Sequence, residues 1–116
     1  MPPETNDAGL PLIRAEALER VGGDEDFLAE LLDLYHEEFK NNSQTLAEAI
    51  AHSNFKDIRE LGHSIKGASA NLSLPGLQAA AFAMEKAGEN SQIEEARSAM
   101  KRLVAEYERL KKFLAG

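Results

Sequence analysis

Residues Asn54 to Leu72 read NFKDIRELGHSIKGASANL, and the spacing within this stretch decides the fold. Phe55, Ile58, Gly62, Ile65, Ser69 and Leu72 fall alternately three and four apart, the repeat of one stripe of an α-helix. At about 100° per residue, His63 lies roughly 140° from the middle of that stripe and faces water. Its neighbours along the outer face are Arg59, Lys66, Gly67 and Ala70. An exposed imidazole with cations beside it, and almost no side-chain bulk beyond, is a group that something large can approach.

The same three-four spacing continues on both sides. Upstream, Phe27, Leu28, Leu31, Leu32, Tyr35, Phe39, Leu46 and Ile50 keep one register from an Asp24 cap to about His52. Asn42 falls on the inner stripe of this long helix and marks a place for a kink. Before it, Leu12 to Val21 carries Ile13, Ala17, Leu18 and Val21 at helical spacing and stops at Gly22-Gly23, a short helix expected to lid one end of the core. Downstream, Ser73-Leu74-Pro75-Gly76 reads as a turn, with Pro75 suited to the first turn of a new helix. Leu77, Ala80, Ala81, Met84 and Ala87 form that helix's stripe, and Gly88 is expected to end it. Ser91 with Glu94 has the spacing of a capping box. It precedes a last stripe of Ile93, Ala96, Met100, Leu103, Tyr107, Leu110 and Leu114.

Four amphipathic helices on short connections, with no strand signal and no repeat, predict an all-α fold. The expected arrangement is an antiparallel up-down-up-down four-helix bundle with a short extra N-terminal helix. Residues 1–11 hold three prolines and a glycine and read as a flexible lead-in to a single domain over 12–116. Composition narrows the function. There are no cysteines, which removes disulfides, thiolate metal sites and thiol catalysis. Thirteen basic against twenty acidic residues leave a formal charge of −7, which argues against nucleic acid or anionic lipid as the main partner. No apolar run approaches the roughly 20 residues of a membrane span, and the N-terminus has no export signal. A cytoplasmic monomer is the expectation.

The segment Glu60 to Leu72 resembles the signature of histidine-containing phosphotransfer (HPt) domains: histidine, two residues, lysine, glycine, one residue, a small residue, two residues, leucine. His63, Lys66, Gly67, Ser69 and Leu72 meet it, and Met84-Glu85 matches the apolar-Glu pair the family often carries. Two positions depart from the pattern. Gly62 stands where alanine commonly precedes the histidine. Ser73 stands where glycine usually follows the leucine. Neither removes a group the chemistry needs.

The resemblance implies that His63 is the phosphoacceptor, through the ring nitrogen farthest from the backbone. It would take a phosphoryl group from a receiver-domain aspartate and pass it to another. The partners implied are receiver domains of response regulators or hybrid histidine kinases, and any Mg²⁺ would sit on the receiver, so no cofactor is expected here. The residue chemistry agrees. Neutral imidazole is a good nucleophile near pH 7. Lys66 can meet phosphoryl oxygens as a point charge, with Arg59 one turn before and Lys56 two turns before. Gly67, at a cost of about 1 kcal/mol relative to alanine within a helix, clears space beside the ring. Ala70 and Asn71, with Gly67 and Lys56, make up the expected docking rim.

Plainer readings compete. A lone exposed histidine is usually a surface residue, and Lys56 is equally a solvated charge. His36 and His52 read as surface or boundary positions, and Ser69 as an inward packing residue with a satisfied hydroxyl. Glu60-x-x-His63 has the spacing of di-iron carboxylate bundles, weakly echoed by Asp33-x-x-His36, but such ligands must point inward and these point out. An interaction module without phosphorylation is the other alternative. No kinase or receiver segment is recognised beside the motif, which suggests a free-standing carrier, although an excised piece of a larger hybrid kinase would read the same.

Overall fold

The first four of the five helices each end in a turn that opens on a residue of positive φ, and these turns set the helix lengths. The structure, a computed structural model, describes residues 9–116. Among them run α1 (Arg14–Arg20), α2 (Glu25–Ala51), α3 (Phe55–Asn71), α4 (Pro75–Glu89) and α5 (Ile93–Ala115), with no strand. The first eight residues of the expected lead-in lie outside the described residues. Of the rest, Pro11 is buried and the Gly9 carbonyl accepts from Arg109.

The four inter-helix turns share one hydrogen-bond pattern. After α1, Gly22 N–H bonds to the Glu19 carbonyl and Gly23 N–H to Leu18. After α2, α3 and α4, the same paired bonds run from Ser53 and Asn54, from Ser73 and Leu74, and from Ser91 and Gln92. This is the Schellman arrangement, which satisfies two orphan carbonyls and requires positive φ at its first donor. Glycine is the usual occupant, yet serine takes it three times, with φ of 52°, 58° and 54° at Ser53, Ser73 and Ser91.

The expected capping box is therefore absent. Ser91 is committed to ending α4, Gln92 stands at the α5 N-cap, and no side chain caps that helix. The other start signals act as expected. Asp24 accepts from Phe27 N–H and Asn54 from Asp57 N–H, while Pro75 opens α4. α1 is shorter than its stripe: it begins at Arg14, and the Ile13 N–H before it bonds to the Ser73 carbonyl. Leu12, just before it, is fully buried.

The stripes meet in one core. Leu28, Leu46, Ile58, Leu77, Met84 and Leu103 are its largest fully enclosed side chains within α2 to α5. Phe27 and Leu114 are expected inside but are about half exposed, each near an end of its helix. α3 and α4 share the most extensive contact, α5 packs on α4, α2 packs on α3, and α2 meets α5 only slightly, which makes a helical bundle.

Two glycines explain how close α3 and α4 come. A Cβ on Gly62 would stand 2.6 Å from Glu85 N, and one on Gly88 would stand 2.4 Å from Arg59 N. The expectation that Gly88 ends α4 is corrected. It lies inside the helix, and its role is the crossing with α3.

Between α2 and α3 the tie is polar. Ser69 donates its one hydroxyl proton to the Ile65 carbonyl at 2.7 Å, so the Tyr35 hydroxyl, 2.7 Å away, donates to Ser69 Oγ. Burial pushes the Tyr35 phenol up to about 12. Asn42 is half-buried within an unbroken α2. His36 stacks on Tyr107 and hydrogen-bonds its hydroxyl, and His52 is exposed with Nδ1 against the Glu48 carbonyl.

Candidate functional site

α3 presents His63 as its stripe requires. With Gly62 pressed on α4 and Ile65 in the core, the imidazole at the position between them points out, and its side chain is 69 % exposed. The close crossing at Gly62 brings the α4 backbone at Glu85 directly beside the residue that precedes His63. Glu85 can therefore reach the ring. Its Oε2 lies 3.0 Å from His63 Nδ1, and its Oε1 lies 2.7 Å from Lys66 Nζ. One carboxylate thus bridges the histidine and the lysine one turn on.

The charge beside Glu85 sets the role of its carboxylate. Lys66, with help from His63, holds the Glu85 carboxyl below its ordinary value although burial opposes this. Glu85 is thus ionised at neutral pH and can only accept. The proton between it and the ring belongs to Nδ1. The neutral imidazole is held as the Nδ1–H tautomer, and the lone pair at Nε2 faces solvent. This is the ring nitrogen farthest from the backbone.

Lys66 is more engaged than its sequence suggests. Its ammonium meets Glu85 Oε1 as a point charge and sits 5.2 Å from the centroid of the Phe82 ring, which is itself about half exposed. The side chain keeps an exposed fraction of 28 % and further donors.

The other expected residues sort clearly. Gly67 is exposed, and a Cβ built there would meet nothing within 4 Å. Arg59 is half exposed, 3.8 Å from Glu60, with its backbone against Gly88. Lys56 is exposed one turn further back. Ala70 is half-buried, and its carbonyl accepts from the Arg20 guanidinium. Asn71 is exposed and borders a groove between α2 and the end of α3, lined also by Leu34 and Ala68. Glu60 and His63 both lie on the outside, so they do not form the inward-facing pair of a di-iron bundle. Among the described residues, no three His, Cys, Asp or Glu side chains converge to hold a metal ion.

Three participants are missing from the sequence-based set. Glu85 was visible only as half of the Met84-Glu85 pair, and its partnership with His63 depends on a helix crossing that no local spacing encodes. Phe82 lies on the outer face of α4, where a lone aromatic carries no signal. Arg20 reaches α3 from fifty residues away.

The comparisons with known proteins agree with this geometry. A family model described as Hpt domain matches residues 30–113 of the chain, from within α2 to near the end of α5. No curated protein and no solved structure matches it.

Proposed function

The chain belongs to the Hpt domain family, the histidine phosphotransfer modules of two-component phosphorelays, and on that premise we propose that His63 is the residue that carries the phosphoryl group. The observation that supports this most is the ring itself: exposed, with Nδ1–H given to Glu85 and Nε2 left free.

In the proposed step, the Nε2 lone pair attacks the phosphorus of an aspartyl phosphate on a receiver domain. The N–P bond forms as the P–O bond breaks, and the oxygen leaves with its electron pair as the aspartate carboxylate. The ring retains its Nδ1 proton and becomes positively charged. Glu85, already at hydrogen-bond distance, stabilises that charge. Lys66 offers its remaining donors to the phosphoryl oxygens, and Arg59 adds a more distant positive field. Return of the group to a second receiver reverses each change. Phosphoryl transfer depends mainly on positioning and charge neutralisation, so the rest of the machinery, Mg²⁺ included, is assigned to the receiver.

Gly67, Ala70, Asn71 and Lys56 are assigned to docking. The open space over Gly67 supports entry of a partner's active-site rim. The contacts of Gly62 with Glu85 and of Gly88 with Arg59 support an antiparallel α3–α4 pair, and the short turns support up-down-up-down order for α2 to α5. A monomeric cytoplasmic carrier built on residues 12–116 completes the proposal. No helix among the described residues is long and apolar enough to cross a membrane.

The test is phosphate transfer from receiver domains pre-loaded with a radiolabelled small phosphodonor. Wild type is expected to take up label and His63→Gln to take up none. Equal labelling of both proteins rejects His63 as the acceptor, and labelling of neither favours an interaction module without phosphorylation.

A further inference from the structure

The Hpt model begins at residue 30, so α1 lies outside the matched segment, yet α1 is anchored to the helix that bears His63. The anchor is a short polar chain. Ser73, in the turn that ends α3, donates its hydroxyl to Glu16 Oε1 at 2.8 Å. The same oxygen lies 3.6 Å from Arg20 Nη2, and Arg20 Nη1 donates to the Ala70 carbonyl. Ile13 N–H, just before α1, bonds to the Ser73 carbonyl at 2.9 Å. α3 has no basic residue in its own last turn, so the cation at its electronegative end comes from α1.

The place where Arg20 is held is specific. His63, Gly67 and Ala70 occupy positions i, i+4 and i+7, one outward stripe of α3. Arg20 binds the carbonyl of Ala70, the residue about two turns, roughly 10 Å along the axis, beyond His63. Between them is the open space over Gly67. With Lys56, Arg59 and Lys66, the guanidinium completes a row of cations running the length of this face, on a chain whose formal charge is −7. Arg20 is still 48 % exposed, and two of its five N–H donors at most face Ala70 and Glu16.

We infer that Arg20 is a docking residue, a pre-oriented guanidinium at the far edge of the His63 face that reads a carboxylate on the visiting phosphodonor or acceptor protein. This rests on the proposal that His63 is the phosphoacceptor. The Ala70 carbonyl and Glu16 fix the fork in advance, so little side-chain freedom is lost on contact, and a planar fork suits a carboxylate better than an ammonium does. α1 thereby supplies partner selectivity from outside the segment that the Hpt model matches.

The test compares Arg20→Gln, which keeps a donor for the Ala70 carbonyl but drops the charge, with Arg20→Lys and wild type. The donor is the phosphorylated receiver domain that loads wild type fastest. Loading by phosphoramidate, which needs no protein docking, is measured in parallel, as is thermal melting. Arg20→Gln is expected to lower kcat/KM for the receiver about 2- to 5-fold at low salt, the size of a lost rim charge, mostly through KM. The deficit is expected to shrink towards none near 0.5 M salt, where the screening length falls to about 4 Å. Arg20→Lys should recover part of it, and phosphoramidate loading should not change. Equal slowing with both donors would make Arg20 a structural clamp only, and an unchanged receiver KM would remove it from the interface. Either result overturns the inference while wild-type loading against His63→Gln still decides the acceptor. If Arg20→Gln melts below the assay temperature, the salt dependence of Arg20→Lys against wild type takes its place, and identical KM values for these two at every salt concentration refute a reading that depends on the fork.

Discussion

Three glycines within or against one helix make a quantitative test of how Glu85 is delivered to His63. Replacing any of Gly62, Gly67 or Gly88 by alanine raises helix propensity by about 1 kcal/mol. That gain is common to all three, so their differences report packing. At Gly67 a new Cβ meets nothing within 4 Å, and the gain stands alone. Gly67→Ala is therefore expected to raise Tm by about 4 °C. At Gly62 the new Cβ would lie 2.6 Å from Glu85 N and 2.9 Å from Glu85 Cα, where ordinary contact begins at 3.4 Å. The obstacle is backbone and cannot rotate away, so α3 and α4 must part by close to an ångström.

Overpacking of this kind costs about 1–3 kcal/mol. Gly62→Ala should then be about 1–3 kcal/mol less stable than Gly67→Ala, and Gly88→Ala, facing Arg59 N at 2.4 Å, at least as much so. Urea denaturation of the three variants gives these differences directly. The separation of the helices should also loosen the Glu85–His63 bond, visible as a mixed tautomer of the His63 ring by ¹⁵N NMR in Gly62→Ala alone of the pair at 62 and 67. If Gly62→Ala and Gly67→Ala stabilise equally, the tight crossing is refuted, and with it the account of how Glu85 is placed.

Two more outcomes follow from the trio and the turns. Because Glu85 titrates below its ordinary 4.5 in the folded state, its ion pairs contribute stability that is present above that value and is lost as pH falls through the lowered one. Wild type should exceed Glu85→Gln in unfolding free energy by about 1 kcal/mol at pH 7, the difference vanishing in acid; a gap that stays constant to pH 2 would show that the charge is not involved. Ser91→Gly should stabilise by about 1 kcal/mol, because the exposed serine holds a left-handed φ of 54° that glycine adopts without strain; a loss in chemical denaturation would contradict the turn assignment.

Much of the bundle was legible because spacing is a local property. The stripes from Leu28 to Leu110 identify which face is buried, and Asp24, Asn54 and Pro75 mark their helix starts through side chains that act within one turn. His63 and Gly67 were legible for the same reason: the direction of an outward residue follows from the stripe it opposes. What the sequence hid was non-local or atypical. Ser91 looked like an N-cap because serine seldom takes positive φ, and its hydroxyl pattern with Glu94 matched a motif that the preceding helix end pre-empts. Gly88 looked like a stop because a glycine that terminates a helix and one that lets another backbone approach are identical in one dimension. Glu85 and Arg20 act across helix contacts, and such pairings are decided by which faces pack.

The most direct check on the central claim is NMR of the phosphorylated protein with its histidine rings labelled with ¹⁵N. The account predicts phosphorus bonded to Nε2 of His63, with Nδ1 protonated and facing Glu85. Phosphorus on Nδ1 of that ring, or on His36 or His52, would contradict it.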